Sequence, residues 1–254
     1  MNQHGRVAWT DIERTLLIQA TCRKLESYWQ FSNCGYEKGR QTCSQPTHFD
    51  TCHLPRDDLR NGRLNQTAYS LHLFIRDVAG GDLVGWIDRR LRQANRRSDH
   101  STILRTQEAL IGPLRNVYGI SDKVLNMVLS DLLMAAPRSK RYWFATGVSM
   151  IAIDTLVHNF LHRTGILRKF SGQHSYGPAC YKPDGCADII ERVSSQIDAR
   201  QFNPNYPAVF PRFVQHAIWR FCAQQELDIC NGNRIQDQRR CGNKGCALFT
   251  FAIV

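Results

Sequence analysis

The sequence lacks long apolar segments, and this absence excludes several classes of protein. No run reaches the roughly 18 apolar residues of a membrane-spanning helix. The N-terminus has no apolar stretch followed by a cleavage site, so we expect no secretory signal. No segment alternates convincingly between apolar and polar residues, and no internal repeat occurs. We therefore expect a protein without membrane association, cytoplasmic or nucleoid-associated, or nuclear in a eukaryote.

Cysteine is too sparse for a disulfide scaffold. The chain has 10 cysteines in 254 residues, well below the roughly 8–10% of such scaffolds. In a reducing compartment, clustered cysteines indicate metal binding rather than disulfides. One group consists of Cys34, Cys43 and Cys52, with His48 and His53 nearby and Cys22 as a competing ligand. This group predicts either a zinc site or, with equal weight, buried free thiols.

The other cysteine group lies in the tail and could hold either a [4Fe–4S] cluster or zinc: Cys222, Cys230, Cys241 and Cys246. Cys222 also fits a helix core, and Cys180 and Cys186 could join either group. His158 and His162 lie one helical turn apart and could bind metal, but no glutamate of an HExxH pattern separates them. We therefore favour surface or phosphate-facing histidines.

The composition is that of a folded, basic protein. Forty-three per cent of the residues are apolar, and the net charge is +11. Such an excess of positive charge favours a polyanion as partner. A basic stretch runs from Arg89 to Arg97, and Arg138, Lys140 and Arg141 add a second group that is expected to contact phosphates.

Helical periodicity predicts a mainly α fold. The first helix is expected to run from a capping box at Thr10 to about Gln30. Further helices are predicted at 65–77, 83–93, 101–113, 123–134, from Asp154 onward, 187–199 and 211–226. Residues 138–146 are interpreted as a connecting insertion and 171–187 as a loop. The predicted organisation is an N-terminal helix (1–33), a cysteine-rich loop (34–58), a helical lobe (59–137) and a C-terminal lobe (138–254).

Two polar residues at helix starts carry the candidate chemistry. Lys123 follows a turn in which Gly119 supplies backbone freedom and Ser121 or Asp122 can cap the helix. A helix N-terminus and partial burial both disfavour the ammonium form and so favour a nucleophilic amine. Asp154 is placed as the N-cap of the next amphipathic helix, and capping alone would explain it.

These segments resemble the endonuclease III branch of the helix-hairpin-helix DNA glycosylases. The segment IAIDTLVHNFLHRTG (151–165) resembles the helix with the catalytic aspartate, and GISDKVLNMVL (119–129) resembles the hairpin with the lysine. LNQTA (64–68) is similar to the element whose glutamine, here Gln66, enters the duplex. The cysteine-rich tail resembles the family's iron–sulfur loop. Lys123 and Asp154 lie 31 residues apart, more than in the family, so residues 137–148 are interpreted as an insertion.

The resemblance implies a two-lobed glycosylase fold acting, as a monomer, on double-stranded DNA with a damaged base or an abasic site. Lys123 would attack the sugar C1′, expel the base and form a Schiff base that permits β-elimination. Asp154 would stabilise positive charge on the sugar, and the turn at Gly119, Ser121 and Asp122 would bind a phosphate. Two alternatives stay open: a monofunctional glycosylase in which Asp154 activates water, and a non-catalytic DNA-binding protein.

Overall fold

The computed structural model describes residues 10, 23–31, 36–37, 42–43, 62–96, 99, 101–137 and 139–230. Within these ranges the protein is mainly helical, as the periodicity predicts. The α-helices are α1 (Tyr28–Phe31), α2 (Gly62–Asp77), α3 (Leu83–Ala94), α4 (Thr102–Leu114), α5 (Asp122–Met134), α6 (Arg141–Ser149), α7 (Thr155–Arg163), α8 (Ile166–Lys169), α9 (Cys186–Ser194) and α10 (Pro211–Cys222).

Two short strands were not predicted. β1 (Tyr36–Glu37) and β2 (Thr42–Cys43) pair antiparallel, with Tyr36 opposite Cys43. Strands of two residues are too short to leave an alternating pattern in the sequence. No helix among the described residues has both the length and the hydrophobicity that crossing a lipid bilayer requires.

The chain divides into two compact units, Met1–Ser121 and Asp122–Val254. The lobe boundary predicted from the sequence lies after residue 137. The division falls earlier because α5 packs closely on α6. The Ser130 hydroxyl donates to the Gly147 carbonyl oxygen at 2.9 Å, and a Cβ at Gly147 would lie 2.9 Å from the Leu133 Cβ.

In the first unit, the predicted long helix to Gln30 is interrupted. A 3-10 helix covers Arg23–Leu25, and α1 then begins at Tyr28. The Tyr28 N–H donates to the Asp77 carboxylate at 2.8 Å, whereas a continuous helix would bond that N–H to a carbonyl four residues earlier. The long-range contact to the end of α2 thus replaces a helical hydrogen bond.

In the second unit, residues 138–146 and 137–148, interpreted as a connecting insertion, are mostly helical and not a loop, while their status as an insertion relative to the glycosylases stays a prediction. Residues 141–149 form α6, whose Trp143, Gly147 and Val148 are buried. Its sequence, RYWFATGVS, has aromatic residues and a glycine where helix formers are usual, so its intrinsic propensity is low. Tertiary packing on α5 stabilises this helix.

The apolar core of the second unit surrounds α7. Ile153, Val157 and Leu161 pack with residues of α9, including Ile189 and Ile190. The predicted helix 187–199 ends at Ser194, where the hydroxyls of Ser194 and Ser195 bond back to main-chain carbonyls and so compete with the helix ladder. The predicted helix 211–226 likewise ends early, at Cys222.

Candidate catalytic helix starts and a candidate metal centre

Asp154 caps α7, as predicted. Its backbone is extended, at φ −112° and ψ −178°, and its side chain accepts the Val157 N–H. The Oδ1 to N distance is 2.9 Å. The carboxylate is half-buried, and no cation in the described part of the chain forms an ion pair with it. The cap therefore fixes the direction of a carboxylate whose charge is not neutralised by a described neighbour.

Lys123 lies in the first turn of α5, directly after Asp122, which begins the helix. Its side chain is half-buried. The Asn126 amide donates to the Asp122 carbonyl oxygen at 2.9 Å and reinforces this first turn. Lys123 and Asp154 belong to the same compact unit, so the two predicted catalytic residues are held by one folded body.

Tyr181 connects the surroundings of these two helix starts. Its hydroxyl accepts the N–H of Ile153, the residue before Asp154, at 2.9 Å. Burial raises the pKa of Tyr181 well above its usual range, and the nearby Asp122 carboxylate adds to that rise. The Tyr181 phenol is therefore hydrogen-bonded at the start of α7.

Tyr176 lies on the same loop as Tyr181, beside the cap of α7. Burial raises its pKa, and the Asp154 charge raises it further. The ring nevertheless remains 44% exposed and contacts the His158 ring edge to face, with centroids 5.8 Å apart. An exposed aromatic face thus lies close to the Asp154 carboxylate.

The turn before α5 has the backbone that the sequence predicts. Gly119 has a φ of +74°, a conformation that favours glycine. The preceding peptide group is fixed by α2, because Ser70 accepts the Tyr118 N–H at 3.0 Å and Thr67 donates to the Tyr118 carbonyl at 2.8 Å. Gly119 and Ser121 are exposed.

The predicted role of Gln66 needs correction. Its side chain is fully buried in α2, so it is not available to enter a DNA duplex in this conformation. Gln66 faces the interior of the first unit, while its neighbour Thr67 reaches the turn at Tyr118. The LNQTA motif therefore contributes to the packing that supports the turn.

The predicted phosphate-contacting cations have different surroundings. The Lys140 ammonium lies 4.4 Å from the Trp143 ring centroid, whereas Arg141 is exposed and lines a cavity of about 740 Å³ with Phe144 and Asn205. Arg138 lies outside the described residues. In the basic stretch, the Arg90 guanidinium lies over Trp86 and also donates to the Ala109 carbonyl. Part of the predicted basic surface is therefore structural.

A candidate metal centre includes His158, which lies one helical turn after Asp154 on α7. It consists of His158, His174, Cys180 and Cys186, whose ligand atoms all lie within 4.8 Å of one another. His158 Nδ1 lies 3.3 Å from Cys186 Sγ and 3.6 Å from Cys180 Sγ. His174 Nε2 lies 3.4 Å from Cys186 Sγ. This group could hold a metal ion.

The expectation of a surface or phosphate-facing His158 is wrong, because its side chain is only 5% exposed and faces both sulfurs. His162, one turn further on, is exposed. His174 was not among the predicted site residues, although five residues separate it from Cys180 and five more separate Cys180 from Cys186. That even spacing in a glycine- and proline-containing loop was the available signal.

The two thiols of this group are hydrogen-bonded to each other. The hydrogen bond from Cys186, followed by those from the two histidines, lowers the pKa of Cys180 against the opposing effect of burial. The same thiol contact and burial raise the pKa of Cys186. One sulfur is thus predisposed to be a thiolate, which is the form that binds metals.

The predicted C-terminal metal site is partly described. Cys222 and Cys230 are buried and hydrogen-bonded to each other, which lowers the pKa of Cys230. The Arg163 guanidinium lies 3.9 Å from Cys230 Sγ. The structure thus brings two of the predicted ligands together, while Cys241 and Cys246 lie outside the described residues. In the other predicted site, Cys34 and Cys52 lie outside them too, and Cys43 ends β2.

Comparisons with known proteins gave no match to a family model, to a curated protein or to a solved structure. The resemblance to the glycosylases is therefore confined to the short segments quoted above. A functional proposal for this chain has to rest on those segments together with the geometry of its second unit.

Proposed function

We propose that the protein is a base-excision DNA glycosylase with abasic-site lyase activity. The observation that carries the proposal is that Lys123 and Asp154 each lie at a helix start within one compact unit. The Tyr181 hydroxyl accepts the N–H of the residue before Asp154, which helps to fix the start of α7. An amine and a carboxylate are the groups that the reaction at a flipped deoxyribose requires.

In this mechanism the neutral Lys123 amine attacks C1′ of the extruded nucleotide. The bond between C1′ and the base breaks, and the base leaves with its electron pair and acquires a proton. The bound amine then loses a proton, and the C1′–O4′ bond of the sugar opens as O4′ takes up a proton, which gives an iminium. The iminium acidifies the C2′ proton, whose removal expels the 3′ phosphate by β-elimination. Asp154 stabilises the positive charge that develops on the sugar before the new bond is complete.

The surroundings of Asp154 suit this electrostatic role. Its Oδ1 is oriented by the Val157 N–H, so no reorientation is needed as charge develops. The ring of Tyr176 is exposed, and the Asp154 charge adds to the rise in the Tyr176 pKa. This ring offers a face on which an extruded base can stack. The net charge of +11 favours binding of the DNA polyanion.

Borohydride trapping tests the proposal. Wild-type protein is incubated with duplexes that carry an abasic site or an oxidised, deaminated or mismatched base. We expect a covalent protein–DNA adduct on at least one duplex, and we expect Lys123→Ala to abolish it. Lys169→Ala is the matched control, because Lys169 is an exposed lysine at the end of α8 and its removal should leave trapping unchanged.

Three results would redirect the proposal. Base release without strand cleavage or trapping would select the monofunctional mechanism, in which Asp154 activates a water molecule. Absence of any reaction, together with duplex binding that weakens steeply with salt, would select a DNA-binding protein without catalytic activity. Trapping that persists at the wild-type level in Lys123→Ala would show that another amine is the nucleophile.

A further inference from the structure

We propose that His158, His174, Cys180 and Cys186 bind one structural zinc ion that ties residues 171–186 to α7. This site differs from both cysteine groups predicted from the sequence. It combines a residue of α7, a loop residue (His174), a residue of the 3-10 helix Pro178–Tyr181 (Cys180) and the first residue of α9. The proposal does not depend on glycosylase activity, since its evidence is the geometry of the four side chains.

The distances between these side chains fit a tetrahedral ion. Zinc binds sulfur at about 2.3 Å and imidazole nitrogen at about 2.0–2.1 Å, so a sulfur and a nitrogen on the same tetrahedral ion lie about 3.5 Å apart. The three recorded sulfur–nitrogen separations are 3.3, 3.6 and 3.4 Å. Side chains placed for one ion would have these separations.

The histidine tautomers also suit a metal site. His174 Nδ1 lies 2.6 Å from the Gly172 carbonyl oxygen, which can only accept, so Nδ1 carries the proton. In the neutral imidazole, His174 Nε2 then presents its lone pair toward Cys186 Sγ. A backbone carbonyl that orients a ligating histidine through its other nitrogen is the usual outer-shell arrangement of zinc sites.

The loop is built to bring its ligands together. A Cβ at Gly172 would lie 2.2 Å from the Asp184 carbonyl oxygen, and one at Gly185 would lie 2.4 Å from the Ala179 carbonyl oxygen. Only glycine permits these close crossings of the backbone. The crossings place Cys180 and Cys186, both fully buried, against His158 of α7.

The ligand set favours zinc in a structural role. Two thiolates and two imidazoles form one of the common structural zinc sets, and four protein ligands leave no open position for a substrate. In a two-iron cluster with this composition, the imidazoles and the thiolates bind different irons. Sulfur–nitrogen contacts as short as those observed fit ligands that share one ion, not ligands divided between two irons.

The site lies where a structural ion would stabilise the region around Asp154. His158 is four residues after Asp154 on α7, and the bound loop carries Tyr181, whose hydroxyl accepts the Ile153 N–H. Zinc would thus hold the loop against α7 after Asp154, while Tyr181 of the same region bonds to the residue before Asp154. Removal of the ion should loosen residues 171–187 before it affects α10.

Metal content of the full chain, expressed with added zinc, tests the proposal. Cys186→Ser should lose one zinc per chain relative to the wild type, as measured by elemental analysis. His162→Ala is the matched control, because His162 lies one turn from His158 on α7 but is exposed; it should keep the wild-type zinc content. Wild-type zinc content in Cys186→Ser would overturn the proposal, and so would a wild type that takes up no metal.

A second variant covers the case in which Cys186→Ser does not fold. His174→Cys replaces an imidazole with a thiolate and should retain the ion. After replacement of zinc with cobalt, this variant should show stronger thiolate-to-cobalt charge-transfer absorption than the wild type. Identical cobalt spectra would show that position 174 is not a ligand. In hydrogen exchange, zinc removal should increase exchange in 171–187 but not in 211–222. These readouts need no DNA, so they are independent of the lyase test.

Discussion

Two half-buried aspartates, one in each unit, illustrate how differently the same side chain is used. Asp77 ends α2 and accepts both the Tyr28 N–H and the Arg76 guanidinium. Asp154 begins α7 and accepts a single described hydrogen bond to its side chain, from the Val157 N–H. Asp77 thus has its charge paired with a cation, whereas Asp154 is held by its cap without a described counter-ion. The comparison indicates that Asp77 is structural, whereas the cap occupies only one carboxylate oxygen of Asp154 among the described contacts; in the proposed function, the other oxygen faces the sugar.

Replacement of each aspartate by asparagine is the strongest test of this comparison. Asp154→Asn should slow base release about 10²–10³-fold, the range observed when one preorganised electrostatic group is removed. Its melting temperature should stay close to that of the wild type, because asparagine caps helices about as well as aspartate. Single-turnover kinetics on the duplex that gives the strongest adduct would measure the effect.

Asp77→Asn is the paired variant, and it should release base at the wild-type rate. Equal activity of Asp154→Asn and wild type would remove the catalytic role of Asp154 and leave only its cap. Slow base release by Asp77→Asn, with unchanged folding, would show instead that the two aspartates cannot be separated into structural and catalytic groups.

The cap of α7 can be measured separately from the charge. Asp154→Ala removes both, so it should be less stable than Asp154→Asn by about 1 kcal/mol, the usual value of an N-cap hydrogen bond. The two variants should nevertheless have similarly low activity. Chemical denaturation of both proteins tests this prediction, and equal stabilities would mean that the Val157 N–H finds another acceptor.

The comparison also shows which features the sequence can predict. The 3.6-residue periodicity of α5 and α7 and the capping position of Asp154 are local properties, and they were predicted correctly. The role of Asp77 depends on Tyr28, 49 residues away, and no local pattern indicates it. α6 was missed for the same reason, because its stability comes from packing on α5 rather than from its own propensity.

The residues of the candidate site also fall into two groups, those whose positions local sequence predicts and those that only tertiary packing brings together. The positions of Lys123 and Asp154 at helix starts were predicted correctly because each follows a local sequence pattern, and their catalytic roles stay predictions. The metal group was not predicted, since its ligands come from a helix, a loop and a second helix start, and only the folded chain brings them together. The assignment of Gln66 to DNA rested on a five-residue motif, and the burial of its side chain depends on tertiary packing.

A smaller effect is expected from Tyr181→Phe. This change removes the acceptor of the Ile153 N–H and leaves that donor without its partner, at a cost of about 1–3 kcal/mol. Because Asp154 follows Ile153, kcat should fall by a few fold while KM is nearly unchanged, as expected for a residue that positions the carboxylate. Tyr176→Phe is the control, since it keeps the exposed ring; a kcat loss as large in this variant would contradict a specific role of Tyr181.

The smallest effect concerns the pH dependence of Asp77. Burial acts to raise its pKa, but the hydrogen bonds from Arg76 and from the Tyr28 N–H hold the pKa below its ordinary value. A carboxyl whose folded pKa is depressed stabilises the protein above the unfolded pKa of about 3.9, and this contribution disappears as the pH falls through the folded value. Asp77→Asn should therefore be less stable than the wild type at neutral pH, by less than about 1 kcal/mol. The difference should shrink as the pH falls below the unfolded pKa and disappear once Asp77 is protonated in the folded protein. Melting temperatures measured across this range decide the point, and a gap that persists in acid would mean that Asp77 acts through packing rather than through its charge.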